Sequence, residues 1–288
     1  IVVTPVFLES TGALDASTEN WNPAHIQSTL SQIQEGMNWW VESLDQMNTV
    51  HELSFVIDTS FASNPVPTAY EPINRRSNDY VFYVNEFLQN QGYSSGNIES
   101  EIRKFNHAQR QKFDTDWAFT IFVANSEFQN SQDQIGGQFA PGGSFRRAFA
   151  FAGGLFMVVP STRPASTFAH ETGHMFWARD EYSGGGTYFS YRGYYNTQNE
   201  NAWDNPTPGF VQQPSIMASG SLLNSAYQDF TSAASTFAQI GWQDSDGNGI
   251  FDGLEAVTGM PMQGSIDFRE RPKFNAFPTG IHPGFRMI

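Results

Sequence analysis

Two histidines and a glutamate in the middle of the chain have the types and spacing of a metal-dependent hydrolase. The segment His170-Glu171-Thr172-Gly173-His174 places the histidines four positions apart. Residues four apart share one face of a helix, so both imidazoles could bind one metal ion with the carboxylate beside it. The pattern favours a zinc site in which Glu171 is the general base for attack by water.

A catalytic zinc ion needs a third protein ligand and one open position for water. Asp180 follows His170 by ten residues, so a chain that turns back after the helix could bring its carboxylate under the metal. The neighbouring Glu181 could serve instead, and a solvated acidic pair is the structural alternative. A paired set of helix histidines without a metal is the corresponding alternative for His170 and His174.

The chain resembles metzincin-type zinc endopeptidases, in particular the immune inhibitor A family of bacterial secreted proteases and, more distantly, the IgA peptidase group. Their HExGHxxxxxDEY signature is similar to the run His170-Glu171-x-Gly173-His174-x5-Asp180-Glu181-Tyr182. The resemblance implies that His170, His174 and Asp180 bind zinc and that Glu171 is the catalytic base. It further implies a secreted endopeptidase with a polypeptide substrate.

Two later segments extend the resemblance. Ser215-Ile216-Met217-Ala218 is similar to the Met-turn, which would place Met217 beneath the metal, and Gln239-Ile240-Gly241-Trp242 resembles a segment that follows it in the same family. Trp177 departs from the family, since a glycine usually forms the left-handed turn there. Ser219 stands where metzincins have a tyrosine, so the tyrosine role of that family is not assigned there. Another tyrosine could donate to the oxyanion, although most of the candidates are expected to pack the cleft wall or lie at the surface. The candidates are Tyr182, Tyr188, Tyr191, Tyr194 and Tyr195.

A second metal site is predicted from a twelve-residue loop that runs from residue 244 to residue 255. Oxygen ligands stand at loop positions 1, 3, 5, 9 and 12, a glycine stands at position 6, and position 7 offers its backbone carbonyl. This is the pattern of a calcium loop, and the alternative is an acidic turn. The predicted calcium ligands are Asp244, Asp246, Asn248, Ile250, Asp252 and Glu255.

The composition excludes several classes of protein. The 288 residues include 29 acidic and 15 basic side chains, which gives a net charge of −14, so no basic surface is expected for nucleic acid or anionic membranes. The most apolar stretch is too short and too rich in glycine to span a membrane. The chain has no cysteine, which excludes disulfides and thiolate metal sites. The oligomeric state stays open.

Hydrophobic spacing predicts alternating strands and helices in the first half of the chain. Ser161 or Thr162 is expected to cap the helix that carries the histidines, with Pro164 in its first turn. Predicted helices are His25 to Met47, Asn78 to Leu88 and Ile98 to Phe113. Predicted strands are Ile1 to Leu8 (an edge or first strand), Leu53 to Ile57 (buried), Trp117 to Ala124 (central), Phe145 to Ala152 and Leu155 to Val159. Predicted loops are Asn64 to Pro72, the glycine-rich Gly136 to Gly143, and the largely irregular Ser183 to Pro214.

These elements predict an α+β fold with a mixed twisted sheet and helices, and the resemblance implies that it is of the zincin type, with an active-site cleft below the sheet. The metallopeptidase domain is expected to span residues 1–266, with an upper subdomain at about 1–176 and an irregular lower one at about 177–266. Residues 267–288 are expected to form an extended tail or linker. A zinc- and calcium-binding module without activity, and an amidase or deacetylase of small substrates, are the alternative functions.

Overall fold

In the computed structural model, residues 1–127 and 137–255 are described, and they form a mixed, mostly parallel sheet flanked by helices. The strands are β1 (Val2–Ser10), β2 (Val56–Ile57), β3 (Val66–Thr68), β4 (Ala118–Ala124), β5 (Phe149–Phe151) and β6 (Phe156–Pro160), with a separate hairpin of β7 (Tyr191–Arg192) and β8 (Thr197–Gln198). The helices are α1 (Pro23–Asp45), α2 (Tyr80–Asn90), α3 (Ile98–Lys112), α4 (Ala165–Met175), α5 (Gly220–Gln228) and α6 (Ala234–Gln239). Short 3₁₀ turns lie at Thr59–Phe61, Pro72–Asn74 and Ser77–Asp79.

The main sheet has the strand order β2-β1-β4-β6-β5, and β3 also pairs with β1. Every pairing in it is parallel except that of β5 with β6, which confirms a mixed sheet. Successive side chains of a strand point to opposite faces, and both faces are apolar here. Helices α2 and α3 cover one face, and α1 and α4 cover the other.

Strand β1 is the first strand but not an edge, and Pro5 fits it for a specific reason. Along one side, β1 pairs with β4 from Val2 to Leu8. On its other side, β2 pairs only with Val2 and Val3, and β3 begins at Leu8. Proline has no N–H to donate, and Pro5 lies in the gap between these two short partners.

Three predicted elements need correction. Leu53 to Ile57 is not a buried strand: only Val56–Ile57 is a strand, and it lies at the sheet edge with Val56 exposed. The loop Asn64 to Pro72 contains strand β3, because parallel pairing with the end of β1 outweighs the prolines. Phe145 to Ala152 is a strand only at Phe149–Phe151.

The helices α1 and α4 continue into a third apolar cluster that joins the sheet to the later chain. Trp40 lies at its centre, in edge-to-face contact with Phe176 and Trp242. Within residues 183–214 the regular structure consists of the short hairpin β7–β8. The segment is therefore largely irregular, as predicted. The predicted tail 267–288, the end of the predicted domain at 256–266 and Gly136 lie outside the described residues. Among the described helices none is long and apolar enough to cross a membrane.

Candidate metal centre

Helix α4 holds the two histidines because it packs closely on α1. The Cβ of an alanine at Gly36 would lie 2.7 Å from the Cβ of Phe168, so the two helices meet where α1 has no side chain. The indole of Trp40 donates a hydrogen bond of 2.9 Å to the carbonyl of Ala169. Helix α4 is therefore fixed in position and in rotation one residue before His170.

The predicted N-terminal cap of this helix is wrong. The helix begins at Ala165, after Pro164, and no side chain caps it. The Ser161 hydroxyl pairs with His25 Nε2 at 2.8 Å, and the Thr162 hydroxyl pairs with Ser126 at 2.8 Å. These hydroxyls are used to join the end of β6 to the start of α1 and to the chain after β4.

His170, His174 and Asp180 form a converging set of ligand atoms. Asp180 Oδ1 lies 3.0 Å from His170 Nε2 and 3.2 Å from His174 Nε2. The ligand atoms of these three side chains all lie within 4.8 Å of one another. No other three His or acidic side chains within residues 1–127 and 137–255 come together in this way. The structure thus brings together the three residues predicted to bind zinc.

Backbone carbonyls hold both imidazoles with Nε2 facing the centre of this set. His170 Nδ1 lies 2.7 Å from the Ile216 carbonyl oxygen, and His174 Nδ1 lies 3.0 Å from that of Ala178. A carbonyl oxygen only accepts, so each Nδ1 carries a proton, and Nε2 is the ring nitrogen that faces Asp180. A metal ion that displaces the Nε2 protons would find both imidazoles in the tautomer it requires.

Glu171 is buried beside the ligands and has an unused oxygen. Its side chain is 5% exposed, and Oε2 has no hydrogen-bond partner among the described residues. Burial raises the pKa of Glu171, while the charges of His170 and His174 act in the opposite direction. A buried carboxylate oxygen without a partner is costly to a fold and typical of a group that needs a reactant.

The ligand side chains form a coupled electrostatic cluster. Burial alone would lower the pKa of His170. The hydrogen bond with Asp180 and the charges of Glu171 and Asp180 outweigh this effect together and raise the pKa to about 9. Burial raises the pKa of Asp180, but its hydrogen bonds with His170 and His174 bring it well below its usual range. Asp180 is therefore ionised at neutral pH and attracts a cation to this point.

Glu181 is not a ligand in this arrangement, although the sequence left it as an alternative to Asp180. Its side chain is fully buried. It accepts hydrogen bonds from Asn201 Nδ2 at 2.7 Å and from the Thr236 hydroxyl at 2.5 Å. Glu181 instead joins three segments of the irregular region below the ligands.

The turn between the helix and Asp180 forms even though it contains Trp177. This residue has a φ of 77°, in the left-handed region that glycine favours. Its ring lies against Gly153, where an added Cβ would be 2.4 Å from the indole, and under the Arg192 guanidinium at 5.3 Å. Contacts on both faces of the ring compensate for the backbone strain, so Asp180 still reaches the histidines.

Met217 lies directly under helix α4. A Cβ at Gly173 would be 2.5 Å from the Met217 sulfur, so only glycine fits between the two histidines on this side. The neighbouring Ile216 supplies the carbonyl that orients His170. The segment therefore supports the ligand set from below, where the sequence placed it.

Tyr182 is the tyrosine nearest to the ligands among the five candidates. Its ring centroid lies 6.1 Å from that of His170. Burial and the charges of Asp180 and Glu171 raise its pKa well above the usual range, so its hydroxyl stays a donor. The other four have different surroundings: Tyr188 lies next to exposed Phe189, Tyr191 donates to Gln198, and Tyr194 and Tyr195 pack on each other.

Two polar residues that the sequence did not assign to the metal site position the third ligand. Asn199 Nδ2 donates to the Asp180 carbonyl at 2.8 Å, and Gln239 Oε1 accepts from the Arg179 backbone N–H at 2.9 Å. Gly186 passes so close that an added Cβ would lie 2.0 Å from the Asp180 carbonyl oxygen. The run of three glycines from Gly184 was the available sequence signal for this close approach.

The predicted calcium loop is closed by its own hydrogen bonds. Asp244 accepts from the backbone of Gly247, Asn248 and Gly249. Asp246 and Glu255 accept from the side-chain amide of Asn248. Asp252 accepts from Ser245 and from Gln243, the residue before the loop. Ile250 donates its N–H to Asn248. Calcium binding by Asp244, Asp246, Asn248, Ile250, Asp252 and Glu255 stays a prediction.

Comparisons with protein-family models, curated proteins and solved structures gave no match for this chain. The function therefore has to be inferred from the side chains of this site.

Proposed function

We propose that this protein is a secreted zinc-dependent endopeptidase with metzincin-like architecture. The observation that carries the proposal is the buried Glu171 oxygen without a partner, next to three side chains whose ligand atoms converge. Two histidines and one carboxylate also bind iron in oxygenases. A buried carboxylate that is free to take a proton favours hydrolysis over that chemistry.

The ligand set fits zinc. Tetrahedral zinc with bonds of about 2.0–2.2 Å separates its nitrogen and oxygen ligands by roughly 3.3 Å. Asp180 Oδ1 lies 3.0 Å and 3.2 Å from the two Nε2 atoms. The carbonyl-bound Nδ1 atoms supply the second layer of contacts that zinc sites need.

The chain's own residues then have distinct roles. Zinc in such a site supplies a Lewis acid that lowers the pKa of water and polarises a carbonyl. Glu171 takes a proton from the attacking water and returns it to the leaving amine, and burial, which raises the pKa of its carboxyl, helps it to hold that proton between the two steps. We assign Tyr182 as the candidate donor to the oxygen that becomes negatively charged, because its hydroxyl stays protonated and its ring lies 6.1 Å from that of His170.

The surroundings of helix α4 suit a polypeptide substrate. Strand β5 lies at the edge of the sheet and contacts α4. The free side of an edge strand can pair with an extended peptide through backbone hydrogen bonds. A peptide held there would pass along the helix that carries Glu171.

The decisive experiment compares Glu171→Gln with wild type. We expect the variant to retain about one zinc ion per chain and to lose casein hydrolysis by roughly 10³-fold or more. Asp180→Ala should lose both zinc and activity. Glu52→Gln, an exposed change of the same chemistry, should behave as wild type.

Four outcomes would contradict the proposal. Unchanged activity in Glu171→Gln would exclude this residue as the base. Zinc binding without hydrolysis of any polypeptide by the wild type would favour a binding module, and turnover of small amides alone would favour an amidase. Metal analysis showing iron rather than zinc would redirect the search to oxidation chemistry.

A further inference from the structure

Aromatic rings cover one face of the edge strand β5. The ring centroids of Phe149 and Phe151 lie 6.0 Å apart, and Tyr80 lies 5.8 Å and 5.0 Å from these two rings. Phe145 stacks on Phe149 at 5.0 Å, with an angle of 11° between the ring planes. These four rings form one continuous apolar surface, the β5 aromatic face.

Part of the β5 aromatic face is open to solvent. Phe145 is 48% exposed, and Phe151 and Tyr80 are half-buried at the rim of the core. Phe149, on which Phe145 stacks, is almost fully buried. A cluster of rings that stays partly exposed is typical of a surface that contacts another apolar group.

Phe145 is held in place by the segment on its N-terminal side. Its backbone N–H donates to the Ser77 hydroxyl at 2.9 Å, and the side chains of Asn78 and Ser144 form a hydrogen bond of 2.9 Å. An added Cβ at Gly143 would lie 2.5 Å from the Ser77 hydroxyl oxygen, so this segment lies directly against the turn that precedes α2. A ring fixed in this way loses little conformational entropy when a ligand covers it.

The β5 aromatic face and the metal helix lie on opposite faces of the same edge strand. Phe149 and Phe151 pack in the core that α2 and α3 cover, whereas Ala148 and Ala150 pack against the core that α1 and α4 cover. In the part of the chain that the structure describes, β5 pairs with β6 alone. The side chains of a peptide paired with the other side of β5 would alternate between small alanines and aromatic rings.

Glu171 lies level with β5 along the metal helix. Strand β6 ends beside the start of β5 and leads into α4, so β5 and α4, which are in contact, run in the same direction. Their far ends also meet, because an added Cβ at Gly153 would lie 2.4 Å from the Trp177 ring. From that point, Glu171 lies back along the helix by about 9 Å and Ala150 lies back along the strand by about 10 Å. A peptide residue opposite β5 is therefore held within about three residues of the bond that is cleaved.

The charges beside the β5 aromatic face distinguish between two kinds of side chain that bind to rings. Aromatic rings attract apolar groups and also cations. Arg146 and Arg147 follow Phe145 directly, and both are exposed. Their positive charges repel Lys and Arg side chains, so an apolar side chain fits this surface better than a cation.

We propose that the β5 aromatic face is a specificity subsite that selects peptides with a phenylalanine or another large apolar side chain close to the cleaved bond. The peptide pairs with the edge of β5, and one of its side chains covers Phe145 and Phe151. Contact between rings adds to the effect of the apolar area removed from water. The inference rests on the proposed function, because it concerns the substrate of that function.

Binding is measured by calorimetry on the full chain carrying Glu171→Gln, so that no peptide is cleaved. The probes are blocked peptides of alanine and serine that carry one Phe, Leu or Lys at successive positions. We expect Phe at one position, or at two positions separated by one residue, to bind about tenfold more tightly than Ala there, as for partial burial of one ring. The neighbouring positions should show no such gain, because their side chains lie on the α4 side.

Substitution of Phe145 tests the subsite directly. Phe145→Ala should reduce the ratio of Phe to Ala binding to less than about threefold, and Phe145→Leu, which keeps Phe149 covered, should give an intermediate ratio. Phe82→Ala removes a phenylalanine of similar exposure, 45%, that stacks on Tyr70 from α2, and it should leave the ratio unchanged. If Phe145→Ala does not fold, Phe145→Leu alone decides.

Three results would overturn the subsite. The first is a ratio that neither variant of Phe145 changes, and the second is equal binding of Phe and Ala peptides at every position. The third is tighter binding of Lys than of Phe at the preferred position, which would indicate a site for a cation.

Failure of the subsite and failure of the proposed function are distinguishable. Cleavage of casein without a preference for Phe at any position rejects the subsite and leaves the peptidase intact. A preference for Phe that Phe145→Ala removes supports the subsite even if the wild type cleaves no peptide.

Discussion

Glu181 and Asp180 are adjacent acids whose substitutions should affect different properties: stability for Glu181 and zinc content for Asp180. Glu181 accepts two hydrogen bonds in the interior, from Asn201 and Thr236. Truncation removes both acceptors and leaves two buried donors unpaired, at about 1–3 kcal/mol for each donor. Glu181→Ala should therefore lower the free energy of unfolding by about 4 kcal/mol, once the small cavity is included.

Glu181→Gln provides a graded control. The remaining oxygen can accept from Asn201, and the new NH2 can face the Thr236 hydroxyl, which is able to accept. We expect a loss of about 1–2 kcal/mol. Urea unfolding followed by tryptophan fluorescence, in excess chelator, measures both variants without a contribution from bound metal.

Metal content completes the comparison. Asp180→Asn should lose zinc, whereas Glu181→Gln should retain it. If Glu181→Ala changed stability by less than about 1 kcal/mol while zinc was lost, the assignment of the two acids would be reversed and the reasoning refuted.

Three further predictions concern other parts of the fold. Gly36→Ala should destabilise the protein by about 1–2 kcal/mol in urea, because contact with Phe168 outweighs the better helix propensity of alanine; a neutral result would mean that the helices can move apart. Burial raises the pKa of Asp58, but hydrogen bonds, including one from Lys112, lower it overall. The stability that this carboxylate contributes is present above about pH 4 and lost below it, so the stability difference between wild type and Asp58→Asn should shrink there; a constant difference would contradict this. Calcium at about a hundred times its Kd should raise the Tm by about 5–10 °C in a thermal shift assay, and Glu255→Gln should more than halve that increase; a wild-type Tm indifferent to calcium would exclude the loop site.

Local patterns predicted the elements that carry their own signal. The apolar spacing of α1 and the β-branched run of β4 were sufficient to place both within two residues. Strand β3 was missed because its pairing with the end of β1, about 58 residues away, outweighs its local proline content. Long-range pairing of this kind leaves no trace in a short window of sequence.

In the candidate site, too, the sequence predicts the local features but not those that depend on contacts between distant segments. The spacing of His170, Glu171 and His174 follows from helix geometry and could be predicted. The sequence favoured Asp180 over Glu181 as the third ligand but could not show why, since the reason is that Glu181 meets Asn201 and Thr236 in the folded chain. The role of Gln239 arises likewise from a contact across 60 residues.

The contact between His170 and Ile216 has a consequence for the order of folding. The imidazole receives its orientation from a carbonyl 46 residues later in the chain, not from helix α4 itself. A newly made chain that ends before this segment would have both histidines on a helix but no fixed tautomer at the first of them. Metal affinity should therefore arise late during refolding, after the sheet has formed, when the segment around Met217 closes beneath the helix.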